Sequence, residues 1–223
     1  MIQKTKQSHD AQSRRGFALL SLLGSGCVCL TVLLLHFIQP DLNPLSRLVS
    51  QYALGKQGWL LTVGLMGFAV SAFTLACALA GTSNTIRLRI GVVLLSIWSL
   101  CAILAALFPT DPIPPRGPMS LSGMIHSIAA NIGFFSLTGA ILVCSGHLRA
   151  VFGRSAWTHV IFGLALASVL SLILFLIAFV VAVTFGLLIH GLFERLVIAV
   201  DLAWLSTVAL LLLSFPTDQR ERP

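Results

Sequence analysis

Long apolar runs alternate with short polar stretches along this chain. The apolar runs cover residues 16–38, 58–81, 90–108, 124–144, 157–189 and 195–213. Each is near or above the ~20 residues that an α-helix needs to cross a hydrocarbon core of ~30 Å. The pattern predicts an all-α, polytopic membrane protein: a six-transmembrane-helix bundle at 16–213, with polar tails at 1–15 and 214–223. The first run is too long for a signal-peptide core and lacks a small-x-small cleavage site, so it is expected to stay as a span. The fifth run holds 33 residues, which as helix would measure about 50 Å. It must tilt or project, and Gly186 is the expected weak point. Residues 190–195 then form a very short connection, so the last two helices must pair antiparallel.

Two polar connections have structure of their own. After the first run, Leu45, Leu48, Val49 and Tyr52 recur at spacings of three and four, with Ser46, Arg47, Ser50 and Gln51 between them. That periodicity predicts a short amphipathic helix lying at the interface as a lid. Asn43 would cap it with Pro44 at its first position, Gly55 would end it, and Trp59 would anchor the second span at headgroup level. The connection at 108–126 contains five prolines. Proline fixes φ and lacks an amide donor, so this stretch is a rigid loop. Ser120, Ser122 and Gly123 read as the cap and entry of the fourth span. In the second span Gly64, Gly67, Ser71 and Ala78 fall at helical spacing, where small side chains let helices approach closely.

Composition agrees with a membrane solvent. Of the 223 residues, 57% are hydrophobic and 9% charged, and mean hydropathy is +0.97; a soluble domain carries about 25% charged residues. The net charge of +7 does not point to nucleic acid, because the basic residues lie in short segments between the apolar runs. They sort instead by topology. With the N-terminus in the cytoplasm, ten of the 14 Lys and Arg residues lie inside and four (Arg47, Lys56, Arg116 and Arg195) outside. That is the positive-inside bias, and six spans return the C-terminus to the cytoplasm. The expected location is the bacterial inner membrane, multi-pass, with membrane lipids as partners. The five cysteines all lie in apolar runs without ligand or CxxC spacing, and read as small buried hydrophobes.

The candidate chemistry gathers at the outer end. His36, Asp41, Asp111, His126, His190, Glu194 and Arg195 border it, and Asp201 lies within the sixth span. Glu194 and Asp201 are seven apart and share a helix face. An intramembrane carboxylate is costly unless it faces the bundle interior or water. The candidate catalytic or acid–base residues are Asp111, His126, Glu194 and Asp201. Ser46, Arg47, Arg116, Arg195 and Asn131 are the candidate substrate-binding residues, with Ser127 and Asn131 continuing a polar stripe below His126. A structural Asp–Arg or Asp–His pair is the competing account of Asp201. His126, His190 and Asp111 could ligate a metal with an open position for water, zinc being the candidate cofactor. No HExxH or similar fixed spacing is present. Three functions compete: a polar Asp/His pocket without catalysis, a metal-dependent hydrolase or transferase acting on a lipid of the outer leaflet, and a small proton-linked permease.

Three motifs carry a resemblance. Pro44-Leu-Ser-Arg-Leu-Val-Ser-Gln-Tyr-Ala-Leu-Gly-Lys-Gln-Gly-Trp59, Phe108-Pro-Thr-Asp111 and Gly123-Met-Ile-His126 resemble the bacterial integral-membrane proteins grouped as domain of unknown function 998. The resemblance spans roughly residues 16–213 and implies a six-span membrane protein. The positions it carries over are Ser46, Gly55, Gly58, Trp59, Pro109, Asp111, Gly123, His126 and Arg195. It implies no reaction. The Asp and His pattern is similar, more distantly, to membrane hydrolases that include alkaline ceramidases. Those have seven spans and more histidine motifs, and this chain departs from them in both.

Overall fold

The computed structural model describes residues 2–113 and 117–214, residues 2–10 as backbone only. Arg116, expected as a substrate-binding residue, and the tail from 215 onward lie outside the described residues. Six long helices follow one another: α1 (Ile2–Ile38), α2 (Trp59–Ala80), α3 (Ile86–Leu107), α4 (Leu121–Phe152), α5 (Ala156–Phe185) and α6 (His190–Ser214). All six are long and apolar enough to cross a membrane. Each packs on its neighbours in the chain, and α6 closes the ring against α1. One end of the ring is covered by the segments 39–58, 108–113 and 117–120; it is called the capped end below.

Small residues set the tightest crossing. A Cβ on Gly24 of α1 would sit 2.5 Å from the Gly67 carbonyl oxygen of α2, and Gly64 lies directly against Thr31. Ser25 and Ser71 share a hydrogen bond of 2.8 Å across the same contact. The small positions expected on the second span thus serve packing within the bundle. On the next pair, Gly133 of α4 lets the Trp98 ring of α3 lie flat against it. Trp204 of α6 is fully buried and donates from Nε1 to Ser145 Oγ of α4 at 2.8 Å. These interhelical contacts matter because lipid is as apolar as the side chains, so packing and hydrogen bonds hold the helices together.

Several boundaries differ from the expected ones. The polar stretch before the first span is helical from Ile2, so α1 runs 37 residues, about 55 Å. α4 begins at Leu121 and continues to Phe152, making His147 and Arg149 helical instead of part of a loop. α5 stops at Phe185 because Gly186 adopts φ 72°, a left-handed cap. The chain turns over 186–189, and the residues expected as a connection, 190–195, are instead the first turns of α6.

The short helix expected after the first span forms as a 3-10 helix, set deeper than a lid on the surface. Asn43 caps a turn: its Oδ1 accepts from Leu45 N at 2.9 Å, and its carbonyl accepts from Arg47 N at 2.9 Å. A 3-10 helix then covers Val49–Leu54 and ends at Gly55, whose N–H donates to Tyr52 O. Val49, Gln51 and Tyr52 are buried, so this element is a plug pressed into the capped end, not a lid lying on it. Hydrogen bonds from outside the segment fix it there.

Candidate functional site

Arg195, on the second turn of α6, is the hub of the capped end. Its Nη1 donates to the carbonyl oxygens of Pro44 (2.9 Å), Arg47 (2.7 Å) and Gly191 (2.8 Å). Its Nη2 donates to the Tyr52 hydroxyl at 3.3 Å, and the guanidinium lies over the Tyr52 ring. Its Nε donates to His36 Nε2 at 2.9 Å. Arginine can only donate, so His36 Nε2 holds a lone pair, and its Nδ1–H donates to Val32 O at 2.6 Å. Arg195 therefore ties α1, the plug and α6 together. It binds carbonyls and an imidazole, where the sequence suggested a neutralising partner for an acid.

Glu194, one residue earlier, points to the other side. It is 6% exposed, and its Oε2 accepts the Val49 N–H at the start of the plug. Its Oε1 has no protein donor among the described residues. A cavity of about 60 Å³ opens beside it, bounded by α2, α3, α4, α6 and the plug. His126 lines the same cavity and is 6% exposed. His126 Nδ1 lies 2.9 Å from Phe108 O and 3.2 Å from Ala105 O. Two carbonyls require a donor there, so Nδ1 carries the proton and Nε2 keeps the lone pair. Apart from Ser50 the rest of the lining is mainly apolar, with Phe68, Trp98 and Phe134 deepest in the bundle. Trp98 stacks edge-on to Phe68 at 4.7 Å and lies 5.7 Å from Phe134. Its Nε1 is buried without a partner.

The other expected residues lie apart from this cavity. Asp111 accepts from Ser120 N (2.8 Å) and Ser120 Oγ (2.7 Å), while Ser120 Oγ caps α4 by accepting from Gly123 N. A Cβ on Gly123 would overlap the Asp111 carboxylate. Asp111 is thus the clasp that joins the proline loop to α4. Arg47 donates to Ile113 O, as does Gln51 Nε2 at 3.3 Å, which joins the plug to the same loop. Ser46 lies in the turn before the plug. Asn131 is exposed and donates to Ser127 O at 2.8 Å, so the expected polar stripe does not lead inward. His190 is buried against Phe179, with both ring nitrogens unpartnered. Asp201 is fully buried; its Oδ1 accepts from Ser168 Oγ of α5 at 2.6 Å, and its Oδ2 has no partner.

The metal centre expected from His126, His190 and Asp111 is corrected here. Among the described residues no three His, Cys, Asp or Glu side chains converge as a metal site. The physical reason is placement: Asp111 is bonded to Ser120, His126 lies on the cavity beside Glu194, and His190 packs against Phe179 away from both. These residues do not fit zinc, and no chemistry is routed through a metal. Trp98 and Ser168 carry roles the sequence did not suggest, and Tyr52 was expected only as part of the apolar stripe at 45–52. Ser168 carried a signal, a hydroxyl inside an otherwise apolar run; Trp98 carried none beyond its size.

A ring of six apolar helices closed at one end by a buried plug defines a polytopic membrane protein. The family described as Protein of unknown function (DUF998) matches residues 22–211, and the chain belongs to that family. No curated protein and no solved structure matches the chain.

Proposed function

We propose that this protein binds a membrane amphipath at its capped end, with an apolar portion of the ligand in the cavity beneath the plug. One observation carries the reading: an apolar cavity walled by three aromatic rings also presents a buried carboxylate and a buried imidazole. Few, well-placed polar groups in an apolar recess are what small-molecule sites use for orientation. An open polar basin of about 790 Å³ on the other side of the plug, lined by Gln39, Arg47 and Lys56 among others, supplies a headgroup-level surface. The charge count supports a capped end that faces away from the cytoplasm of a bacterial inner membrane, since the described opposite end carries Arg14, Arg15, Arg87, Arg89, Arg149 and Arg154.

The test is native mass spectrometry of detergent-purified protein beside Ala129→Leu and Ala102→Leu. Both alanines line the cavity and are nearly fully buried, and each leucine fills space there while leaving Glu194 and His126 in the sequence. A lipid retained by wild type and lost from both monodisperse variants is the expected result. Equal retention in all three sinks the reading.

A second reading, proton-linked transport, is favoured by Asp201. Its carboxyl lies among α4, α5 and α6, with Ser168 Oγ 3.4 Å from Thr138 Oγ1, and one of its oxygens has no partner. Intramembrane carboxyls of this kind mark proton relays. Proton flux into vesicles reconstituted with wild type, abolished by Asp201→Asn, is the expected sign; flux unchanged by that substitution refutes it.

A further inference from the structure

We propose that the ligand's polar group is a primary ammonium, received by Glu194 and His126; this rests on the cavity being a binding site. Glu194 Oε1 and His126 Nε2 bring acceptors to the cavity, beside the Trp98 Nε1–H and the Ser50 hydroxyl on other lining residues. Among the described residues Glu194 Oε1 receives no protein donor; the Val49 N–H goes to the other oxygen. His126 keeps its lone pair on Nε2, because Nδ1 faces the carbonyls of Ala105 and Phe108. The carboxylate and imidazole acceptors call for a ligand that brings N–H or O–H groups.

The charge of the site selects among such donors. Among the described residues no Lys or Arg lines the cavity. The cation adjacent in sequence, Arg195, is turned away onto His36, Tyr52 and three backbone carbonyls. Glu194 is thus a buried carboxyl with no cation in contact among the described residues, Arg195 acting on it only from further off, and a cationic donor complements it better than a neutral hydroxyl. The aromatic walls act in the same direction. Phe68, Trp98 and Phe134 put aromatic rings on the cavity wall, where a cation is attracted to them. The unpartnered Trp98 Nε1–H adds one donor for an oxygen carried further along the ligand.

Size and hydrogen bonding narrow the class again. The cavity measures about 60 Å³, several times the ~10–15 Å³ that one water needs by the same measure. It suits an ammonium with a few methylenes, not a whole lipid. A quaternary trimethylammonium has charge but no N–H, and would leave Glu194 Oε1 and His126 Nε2 unsatisfied. A carboxylate would face Glu194 with like charge. An amphipathic primary amine is the class that meets all the groups present.

Isothermal titration of the full chain in uncharged detergent, with decylamine, decyltrimethylammonium, decanol and decanoate as probes, tests this. Saturable binding of decylamine at least about tenfold tighter than of the other three is expected, a difference of ~1.4 kcal/mol. Glu194→Gln keeps a carbonyl acceptor for Val49 N–H and removes the charge. It should lower decylamine affinity by about tenfold or more while leaving decanol unchanged. Equal affinities for decylamine and decyltrimethylammonium overturn the ammonium assignment and leave the binding site standing. If no probe binds saturably, the site itself is refuted and buried water occupies the cavity. The probe ranking is read on wild type, so the assignment stays testable even if the Glu194 variant does not fold.

Discussion

Arg195 and Glu194 are adjacent, yet they do opposite work, and the helix explains why. Successive residues on a helix point about 100° apart, so one side chain faces the turn at 43–47 and the other the cavity. Arg195 satisfies carbonyls that a plug without regular helix leaves open. Lysine carries a point charge with no planar fork, and cannot reach His36, Tyr52 and three carbonyls together. Arg195→Lys is expected to lower stability by about 2–4 kcal/mol through carbonyls left without donors. Thermal unfolding in detergent measures this, and faster proteolysis of the 39–58 segment should accompany it. Gly123 is the second single-residue constraint. A methyl there would meet the Asp111 carboxylate, so Gly123→Ala should destabilise by about 1–3 kcal/mol. Gly16, with open space around its Cβ position, is the control: Gly16→Ala should leave the melting temperature unchanged or slightly raised.

Among the elements, the plug and α5 show how local preference and tertiary demand divide the outcome. The plug's apolar spacing fits a helix, but its first N–H is taken by Glu194 and the carbonyls before it by Arg195. Those bonds reach across about 145 residues of chain and stop a regular helix from propagating back to Pro44. α5 is the reverse case. Its end is local: Gly186 takes φ 72° and its N–H donates to Ala182 O at 3.1 Å. An alanine at that left-handed position costs about 1 kcal/mol. Gly186→Ala is therefore expected to lower thermal stability by that amount, whereas Gly163→Ala in the same helix, with nothing near its Cβ position, should raise it. The opposite result would mean that α5 continues past 186 in the folded protein.

On the scale of the whole molecule, the ring brings residues from α1, α3, α4, α6 and the plug to one end. If that end faces away from the cytoplasm, a cysteine at exposed Lys56 will react with a membrane-impermeant thiol reagent added to intact cells. A cysteine at exposed Arg89, at the other end, will react only after the membrane is opened. The background strain for this test replaces Cys27, Cys29, Cys77, Cys101 and Cys144. Labelling in the reverse pattern overturns the proposed orientation.

Legible in the sequence alone were the number of helices, their approximate lengths, the end at which the acids and histidines gather, the capping by Ser120 and the helix face shared by Glu194 and Asp201. Those properties follow from hydropathy, periodicity and cap chemistry, which are local and readable in order along the chain. Only the tertiary structure decided which of the gathered groups meet. It placed His126 and Glu194 on one cavity, gave Asp111 to Ser120, turned Arg195 onto backbone carbonyls, paired Asp201 with Ser168 and left His190 against Phe179. Hydropathy gives the depth of a residue in the membrane but not its azimuth around the bundle. Two groups at one depth touch or miss according to how small residues such as Gly24, Gly67 and Gly133 let the helices cross, and that is set by contacts between segments far apart in the chain.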